Sequence, residues 1–189
     1  MSKDEIQGQP SCEDELNTGL LSVDEARERM VNAVSPVRDM QTLALREALG
    51  QVLAAEVVSP IDVPSHTNSA MDGYAVRASD LPRDGVRTFP VPGTSWAGQP
   101  WLEPARPGEA VRIMTGGMMP SGTDTVIMQE QVDVDAENNT VRVGSGHKAG
   151  QHVRATGEDV KTGQTVLTAG RRLTAADIGV LASLGLDEV

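Results

Sequence analysis

The stretch "NSAMDGYAV", Asn68–Val76, joins a run of small polar residues to an apolar pattern. Tyr74 and the valine two positions later alternate with smaller or polar neighbours, which is the period of a half-buried strand. Asp72 and Gly73, immediately before that pattern, form a dipeptide typical of tight turns. The sequence therefore predicts a strand from Gly73 onwards, preceded by a turn that holds a carboxylate.

Short apolar runs bounded by turn residues continue to about residue 145 and predict further strands. They lie at Thr88–Val91, Ala110–Met114, Thr125–Gln129 and Val132–Val143. In the last run, alternating valines stand on either side of a polar turn at Asn138 and Asn139, which predicts a β-hairpin. This part of the chain is therefore expected to be mainly β.

The flanking segments carry two helix signals and two strand signals, and the later strand is predicted at Thr165–Leu167. Ser22 and Glu25 have the spacing of a capping box at the start of one helix, and Thr174 is placed to cap a second helix. Between them, Val52–Val58 is typical of a buried strand. Both flanks therefore predict a mixed helical and strand unit.

These patterns together predict an α+β fold that is mainly β. A β-rich, barrel-like domain over residues 59–145 is inserted into a smaller mixed α/β unit, a connecting scaffold formed by residues 21–58 and 146–189. Residues 1–20 are acidic and rich in small polar residues, which predicts a disordered tail.

Composition excludes several classes of partner. There are 16 basic and 27 acidic residues, so the formal net charge of −11 disfavours nucleic acid and anionic membranes as partners. Cys12 is the single cysteine, which excludes an internal disulfide and fits a reducing compartment. The sequence shows neither a membrane-spanning apolar run nor a signal peptide, and we expect a cytoplasmic protein.

The polar half of the opening stretch is the first candidate site. Asp72 offers a carboxylate that suits a hard cation or a polar group of a substrate, with Asn68 and Ser69 beside it. The alternative is an Asx turn, in which Asn68 or Asp72 bonds only its own backbone. Local chemistry leaves both interpretations open.

Two further loops carry polar groups. Thr115, Gly116 and Gly117 follow a predicted strand, and their amides and hydroxyl suit an anion, although the local sequence favours a plain glycine-rich turn. Later in the chain, the segment "RATGED" offers a guanidinium for an anion and carboxylates for a cation, or only a solvated charged turn. The three histidines show no zinc-ligand spacing.

Three stretches in this order, "NSAMDGYAV", "RIMTGGMMPSGTDTVIMQE" and "VRATGEDV", resemble the molybdopterin molybdenumtransferase family, which includes bacterial MoeA and the E domain of gephyrin. "DEARERMVNAV" and "EALGQVLAAEVVSPIDVP" look like the family's entry helix and the strand that leads to its inserted domain. The resemblance covers residues 21–189. It implies molybdenum cofactor biosynthesis: insertion of molybdenum from molybdate into adenylated molybdopterin, with release of AMP and with magnesium (Mg²⁺) as the cofactor.

The resemblance also implies an assembly. Family members are elongated homodimers in which the β-rich domain of one chain faces a doubly wound α/β domain of the other, and that α/β domain holds the pterin. We expect the α/β domain and a C-terminal domain beyond Val189, so that the 189-residue chain supplies one wall of the active site and is inactive alone. The alternative function is a non-catalytic interaction module of the same fold, and a free-standing metal-binding protein is a third.

Residue by residue, Asp72 matches the acidic position of the family's "SAMDGYAV" motif and Thr115 matches the threonine of its "TGA" motif. The resemblance implies catalytic roles for both, with Asp72 in contact with a metal, the pterin or molybdate. The substrate-binding candidates are Asn68, Ser69, Gly116, Gly117, Arg154, Glu158 and Asp159. Gly117 departs from the family's alanine, which predicts a looser loop.

Overall fold

The structure, a computed structural model, describes residues 21–189, so the predicted tail over residues 1–20 lies outside the described residues. The chain divides between Gln41 and Thr42 into two units, of which the second is Thr42–Val189. Each unit is described separately below.

The first unit contains helix α1, Val23–Ala33. The oxygen of the Ser22 side chain accepts from the Glu25 N–H at 3.2 Å, and the Glu25 carboxylate accepts from the Ser22 N–H at 2.9 Å. This reciprocal pair satisfies two backbone donors that have no partner inside the helix. The predicted capping box is confirmed.

The second unit contains eleven strands and one α-helix among its described residues. The strands are β1 Val57–Val58, β2 Asn68–Ser69, β3 Gly73–Val76, β4 Val86–Pro90, β5 Thr94–Ser95, β6 Val111–Ile113, β7 Thr125–Met128, β8 Val132–Asp135, β9 Thr140–Gly144, β10 Val153–Arg154 and β11 Thr165–Leu167. The helix is α2, Ala175–Ser183, and single 3-10 turns lie at Ala78–Asp80 and Gln129–Gln131. The predicted hairpin is confirmed as β8 and β9.

The strands form four small sheets. The largest has the order β5-β6-β3-β7, and a second has the order β4-β9-β8. β3 runs antiparallel to both of its neighbours, and only β5 and β6 pair in parallel. Two-stranded antiparallel sheets join β1 to β11 and β2 to β10. The prediction of a mainly β, α+β fold is confirmed, while closure into a barrel stays a prediction.

Strand β3 is buried along its whole length, contrary to the predicted half-buried alternation. Tyr74 and Val76 on one face pack with Phe89 and other residues of the three-stranded sheet. Ala75 on the opposite face packs with Ile113 and others in a separate cluster. Apolar residues therefore meet β3 on both sides, because it lies inside one sheet and between two layers of side chains.

A third apolar cluster draws on both ends of the second unit. It contains Leu45 and Leu53 from the early part, and Leu167 and Leu181 from the late part. Helix α2 begins behind Thr174, whose side chain and N–H both bond the Asp177 carboxylate. The predicted cap of the second helix is confirmed.

The predicted buried strand Val52–Val58 is wrong for most of its length. Only β1, Val57–Val58, is a strand, while Val52 forms an isolated bridge with Arg172 and is 62% exposed. The facing chain turns at Gly170, where φ is 77°, and so it offers no continuous partner. The apolar run is thus divided between the core and the surface.

Within residues 21–189, no helix combines the length and the apolar character that a membrane crossing requires.

At Gly73 two strands of the central sheet approach each other closely. A Cβ atom there would overlap the carbonyl oxygen of Ile127 and lie 2.8 Å from its carbonyl carbon, both in the backbone of β7. A backbone cannot give way as a flexible side chain does, so only glycine fits. The residue that marks a turn in the sequence is therefore required by the packing of two strands.

We predict that Gly73→Ala destabilises the protein by about 1–3 kcal/mol or more, because the methyl group forces β3 and β7 apart. Thermal melting followed by circular dichroism measures the effect. Gly144→Ala is the matched control, since Gly144 is also a strand glycine, φ is not positive there, and a Cβ atom would meet open space. Equal melting temperatures for the two variants would contradict this explanation.

Candidate active site

The register of the central sheet places Asp72 beside Thr115. Gly73 pairs with Ile113 in the antiparallel β3–β6 ladder. The residue before β3 and the residues after β6 therefore leave the sheet at the same edge. This register brings together two residues that lie 43 positions apart in sequence.

Thr115 donates two hydrogen bonds to one oxygen of Asp72. Its backbone N–H lies 2.8 Å from Oδ1, and its hydroxyl Oγ1 lies 2.7 Å from the same atom. These bonds, the backbone one first, lower the pKa of the Asp72 carboxyl below its ordinary value; burial opposes them, and the charge of Arg112 adds to the lowering. Asp72 is therefore a fixed, ionised carboxylate at neutral pH.

The contact argues against an Asx turn formed by Asp72. In an Asx turn the carboxylate would bond its own backbone within two or three residues. Here Oδ1 accepts instead from a different strand end, and the backbone carbonyl of Asp72 accepts from the Gln129 N–H at 3.1 Å. Asp72 is thus tied to the ends of both β6 and β7.

The two glycines after Thr115 bond the backbone of Ser69. The Gly116 N–H donates to the Ser69 carbonyl at 2.9 Å, and the Ser69 N–H donates to the Gly117 carbonyl at 3.0 Å. A Cβ atom at Gly117 would lie 2.8 Å from the carbonyl oxygens of Met114 and Ser95. The loop is therefore closed tightly around Gly117, which does not support the predicted loosening.

Strand β2 connects the glycine loop to the loop that contains Arg154. Asn68 pairs with Arg154 in the ladder between β2 and β10. Both residues of β2, Asn68 and Ser69, are buried, and the Asn68 amide nitrogen donates to the carbonyl of His66 at 3.2 Å. The segment predicted as part of a turn is in fact a short buried strand between two loops.

The Arg154 guanidinium is paired with both acidic residues of its own loop. Its Nε lies 2.7 Å from Glu158 and its NH2 nitrogen lies 2.6 Å from Asp159. The pKa of Glu158 is lowered by Arg154 first and by the Ala155 N–H second, and the pKa of Arg154 is raised by Glu158 first and then Asp159. One positive charge is shared by two carboxylates, so the guanidinium is not free to bind an anion and the group of three keeps a net negative charge.

All nine predicted site residues lie in one connected region. Hydrogen bonds and strand pairing link Asp72, Thr115, Gly116, Gly117, Ser69, Asn68, Arg154, Glu158 and Asp159 in that order. The exposed members are Thr115 and Gly116 in one loop, and Glu158 and Asp159 in the other. The arrangement can present one oriented carboxylate beside the polar backbone of the glycine loop.

The described residues do not form a complete magnesium site. Among residues 21–189, no three histidine, cysteine or acidic side chains gather where they could hold one metal ion. Asp72 supplies a single carboxylate, and its Oδ1 already accepts two hydrogen bonds. Magnesium prefers six oxygen ligands, so the donor set present here does not fit it.

Arg112 is the nearby charged residue that sequence reasoning missed. It lies in β6 opposite Tyr74, donates to the Tyr74 hydroxyl at 3.0 Å and to Oε1 of Gln129 at 2.6 Å, and stacks over the tyrosine ring at 5.2 Å. A single signal pointed to it, namely an arginine between the apolar residues of a predicted strand. Its partners follow only from strand pairing.

Comparison with known proteins finds a matching family and similar sequences. The family model described as the MoeA N-terminal region, domains I and II, matches residues 21–185. A molybdopterin molybdenumtransferase of Haemophilus influenzae is 46% identical over 170 residues, which cover 90% of this chain and 41% of that protein. Molybdopterin molybdenumtransferase 2 of Mycobacterium tuberculosis is 38% identical over 164 residues, or 85% of this chain and 39% of that protein.

The fold agrees with a solved structure. The crystal structure of a molybdopterin biosynthesis MoeA protein from Pyrococcus horikoshii OT3 superposes with a TM-score of 0.83 at 34% identity, covering 88% of this chain and 44% of that one. The chain spans about two-fifths of the length of these relatives.

We predict that Thr115→Val raises the pKa of the Asp72 carboxyl but leaves it below the ordinary aspartate value. The substitution removes the hydroxyl donor and keeps the backbone N–H, which is the larger cause of the lowering. An NMR pH titration of the Asp72 carboxyl carbon measures this change. A carboxyl whose pKa is lower in the folded than in the unfolded protein stabilises the fold at pH values above its unfolded-state pKa. That stabilisation is lost as the pH falls through the folded-state pKa. Because the valine variant has a smaller lowering, its acid unfolding should begin at a higher pH.

Thr115→Ser keeps the hydroxyl and serves as the control for this titration. Its Asp72 carboxyl should titrate as in the parent protein. A valine variant that titrates like the parent, or a serine variant that titrates like the valine one, would contradict the assigned contact.

Proposed function

The chain belongs to the MoeA N-terminal family, and from that premise we propose that it supplies one wall of the active site of a molybdopterin molybdenumtransferase. The reaction proposed is insertion of molybdenum from molybdate into adenylated molybdopterin, with release of AMP. The observation that carries the proposal is the contact between Asp72 and Thr115. It brings two of the family-like stretches together at the edge of a sheet, and it orients the Asp72 carboxylate.

Asp72 would act by position and charge. Thr115 fixes its Oδ1, so its other oxygen can face a ligand without loss of side-chain freedom on binding. Both proposed substrates are anions, and a carboxylate attracts neither of them directly. Asp72 is therefore suited to accept hydrogen bonds from a protonated or amine group of the pterin substrate, and this is the role we assign to it.

We propose that a magnesium ion takes part, with most of its ligands supplied by groups other than residues 21–189. The described residues offer one carboxylate and not a ligand shell. The phosphate groups of an adenylated substrate are magnesium ligands by chemistry. No step of the reaction is assigned to the ion here.

The same proposal includes the assembly. Thr115 and Gly116 are exposed at the sheet edge, which suits a site completed by a second chain in a homodimer. The inserted-domain layout, residues 59–145 between flanks 21–58 and 146–189, is supported by an apolar cluster that joins Leu45 and Leu53 to Leu167 and Leu181. Location in the cytoplasm completes the proposal and rests on the charge and cysteine content.

We predict that Asp72→Asn, in a complete transferase that carries this sequence, keeps the melting temperature within a few degrees and lowers molybdenum insertion by roughly two to three orders of magnitude. Removal of one preorganised electrostatic group typically costs about 2–4 kcal/mol of transition-state stabilisation. Insertion is measured with adenylated molybdopterin and molybdate, and melting is measured on the same preparation.

Asp124→Asn is the matched control. Asp124 also accepts one backbone N–H, from Ala78 at 2.7 Å, and one threonine hydroxyl, from Thr125 at 2.8 Å, with the same oxygen. It lies at the opposite end of β3, where its own N–H donates to the Val76 carbonyl. If both the Asp72 and the Asp124 variant insert molybdenum at the rate of the parent protein, a catalytic role for Asp72 is rejected and an interaction module of the same fold is favoured.

A further inference from the structure

Ser95 is a buried serine beside the glycine loop, Thr115–Gly117, and it has no part in the function proposed above. It is the second residue of β5, and its exposed fraction is 0%. It pairs with Ile113 in the parallel ladder between β5 and β6. Because β6 ends at Ile113, Ser95 lies next to the point where the chain leaves the sheet to form the glycine loop.

Ser95 binds both ends of the segment that contains the glycine loop. At the first end, its backbone carbonyl accepts from the Met114 N–H at 3.2 Å. At the second end, its hydroxyl donates to the Met118 carbonyl at 2.8 Å. Met114 directly precedes Thr115, and Met118 directly follows Gly117. A single buried residue therefore ties both ends of the loop to one position in the sheet.

The hydroxyl of Ser95 is used both as an acceptor and as a donor. Its Oγ accepts from the Trp101 N–H at 3.3 Å while it donates to the Met118 carbonyl. A serine hydroxyl has one donor hydrogen and two acceptor lone pairs. The N–H of Trp101 occupies one lone pair, and the single hydrogen is directed to Met118. Removal of the hydroxyl therefore breaks two contacts at once.

The backbone of Ser95 also lies close to the loop. A Cβ atom at Gly117 would lie 2.8 Å from the Ser95 carbonyl oxygen, so the loop turns directly against β5. Within residues 21–189, two side chains form hydrogen bonds with the backbone of residues 114–118, namely those of Asp72 and Ser95. Ser95 is thus the second side chain that holds this loop, and the first belongs to the candidate site itself.

We propose that Ser95 is a positioning residue for the reaction, because it holds the glycine loop in the place where Thr115 meets Asp72. Thr115 bonds the carboxylate through both its N–H and its hydroxyl, so a shift of the loop disturbs both bonds together. Misplacement of a reacting group by about 1 Å can lower a rate roughly a hundredfold. The effect on the reaction rests on the proposed function, whereas the ordering of the loop by Ser95 does not.

Ser95→Ala in the 189-residue chain tests the ordering of the loop. Amide hydrogen exchange at Thr115, Gly116 and Gly117 should become roughly tenfold faster, since loss of a buried hydrogen-bond partner favours local opening. The amide of Tyr74 should exchange as in the parent protein. The Asp72 carboxyl should titrate at a higher pH than in the parent protein, because the Thr115 donors that lower its pKa are less often in place.

Ser59→Ala is the matched control. Ser59 is 1% exposed, and its hydroxyl also donates to a backbone carbonyl, that of Ile61 at 2.6 Å. Both alanine variants should lower the melting temperature by a few degrees, because each loses a hydrogen bond of a buried hydroxyl. Only Ser95→Ala should change exchange in the glycine loop or the titration of Asp72. If Ser95→Ala does not fold, Ser95→Cys replaces it, since a thiol is only a weak donor.

The last measurement is molybdenum insertion by a complete transferase that carries this sequence. Ser95→Ala should lower the rate about ten- to a hundredfold, and Ser59→Ala should leave it unchanged. Loop exchange that Ser95→Ala does not change, or that Ser59→Ala changes equally, overturns the ordering of the loop by Ser95. Insertion at the parent rate by Ser95→Ala, in an enzyme that Asp72→Asn inactivates, overturns the positioning role. An active Asp72→Asn enzyme would instead overturn the proposed function and leave the exchange result standing.

Discussion

The close backbone approach of β3 and β7 at Gly73 is the constraint on which the rest of the structure depends. Because no side chain separates Gly73 from the Ile127 carbonyl, β7 lies directly against β3 on one side while β6 pairs on the other. The pairing of Gly73 with Ile113 then fixes which residues leave the sheet together. Asp72 meets Thr115 as a direct consequence of this register.

That register also organises the electrostatics of the site. Asp72 is held by donors from Thr115 on one side and presents its backbone carbonyl to Gln129 on the other. Gln129 in turn accepts from Arg112, so the carboxylate and the guanidinium are fixed relative to one another by shared neighbours. In the Arg154 loop, by contrast, the guanidinium is paired with two carboxylates, and the group of three keeps a net negative charge.

Elements with strong local signals could be predicted from the sequence. Such signals mark the capping boxes at Ser22 and Thr174, the valine hairpin of β8 and β9, and most strands of the central sheet. Caps and alternating patterns depend on only a few residues that are neighbours in sequence. The candidate loops were also found, since small polar residues and glycines interrupt apolar runs. Family membership followed from three such stretches and is shown by the match over residues 21–185.

What could not be predicted depends on partners that are distant in sequence. Strands β2 and β10 have two residues each, too few for a periodic pattern, and exist because they pair with one another. Val52 looked like a strand residue, but its facing chain turns away at Gly170. The role of Arg112 emerges only when Tyr74 and Gln129 are brought beside it.

Amide hydrogen exchange at Thr115 tests most directly the claim that the strand register places this residue beside Asp72. Thr115 is exposed, so its N–H should exchange rapidly unless a carboxylate binds it. We predict slow exchange in the parent protein and fast exchange in Asp72→Ala, with the amides of Arg112 and Tyr74 equally protected in both. Rapid exchange at Thr115 in the folded parent protein would contradict the account.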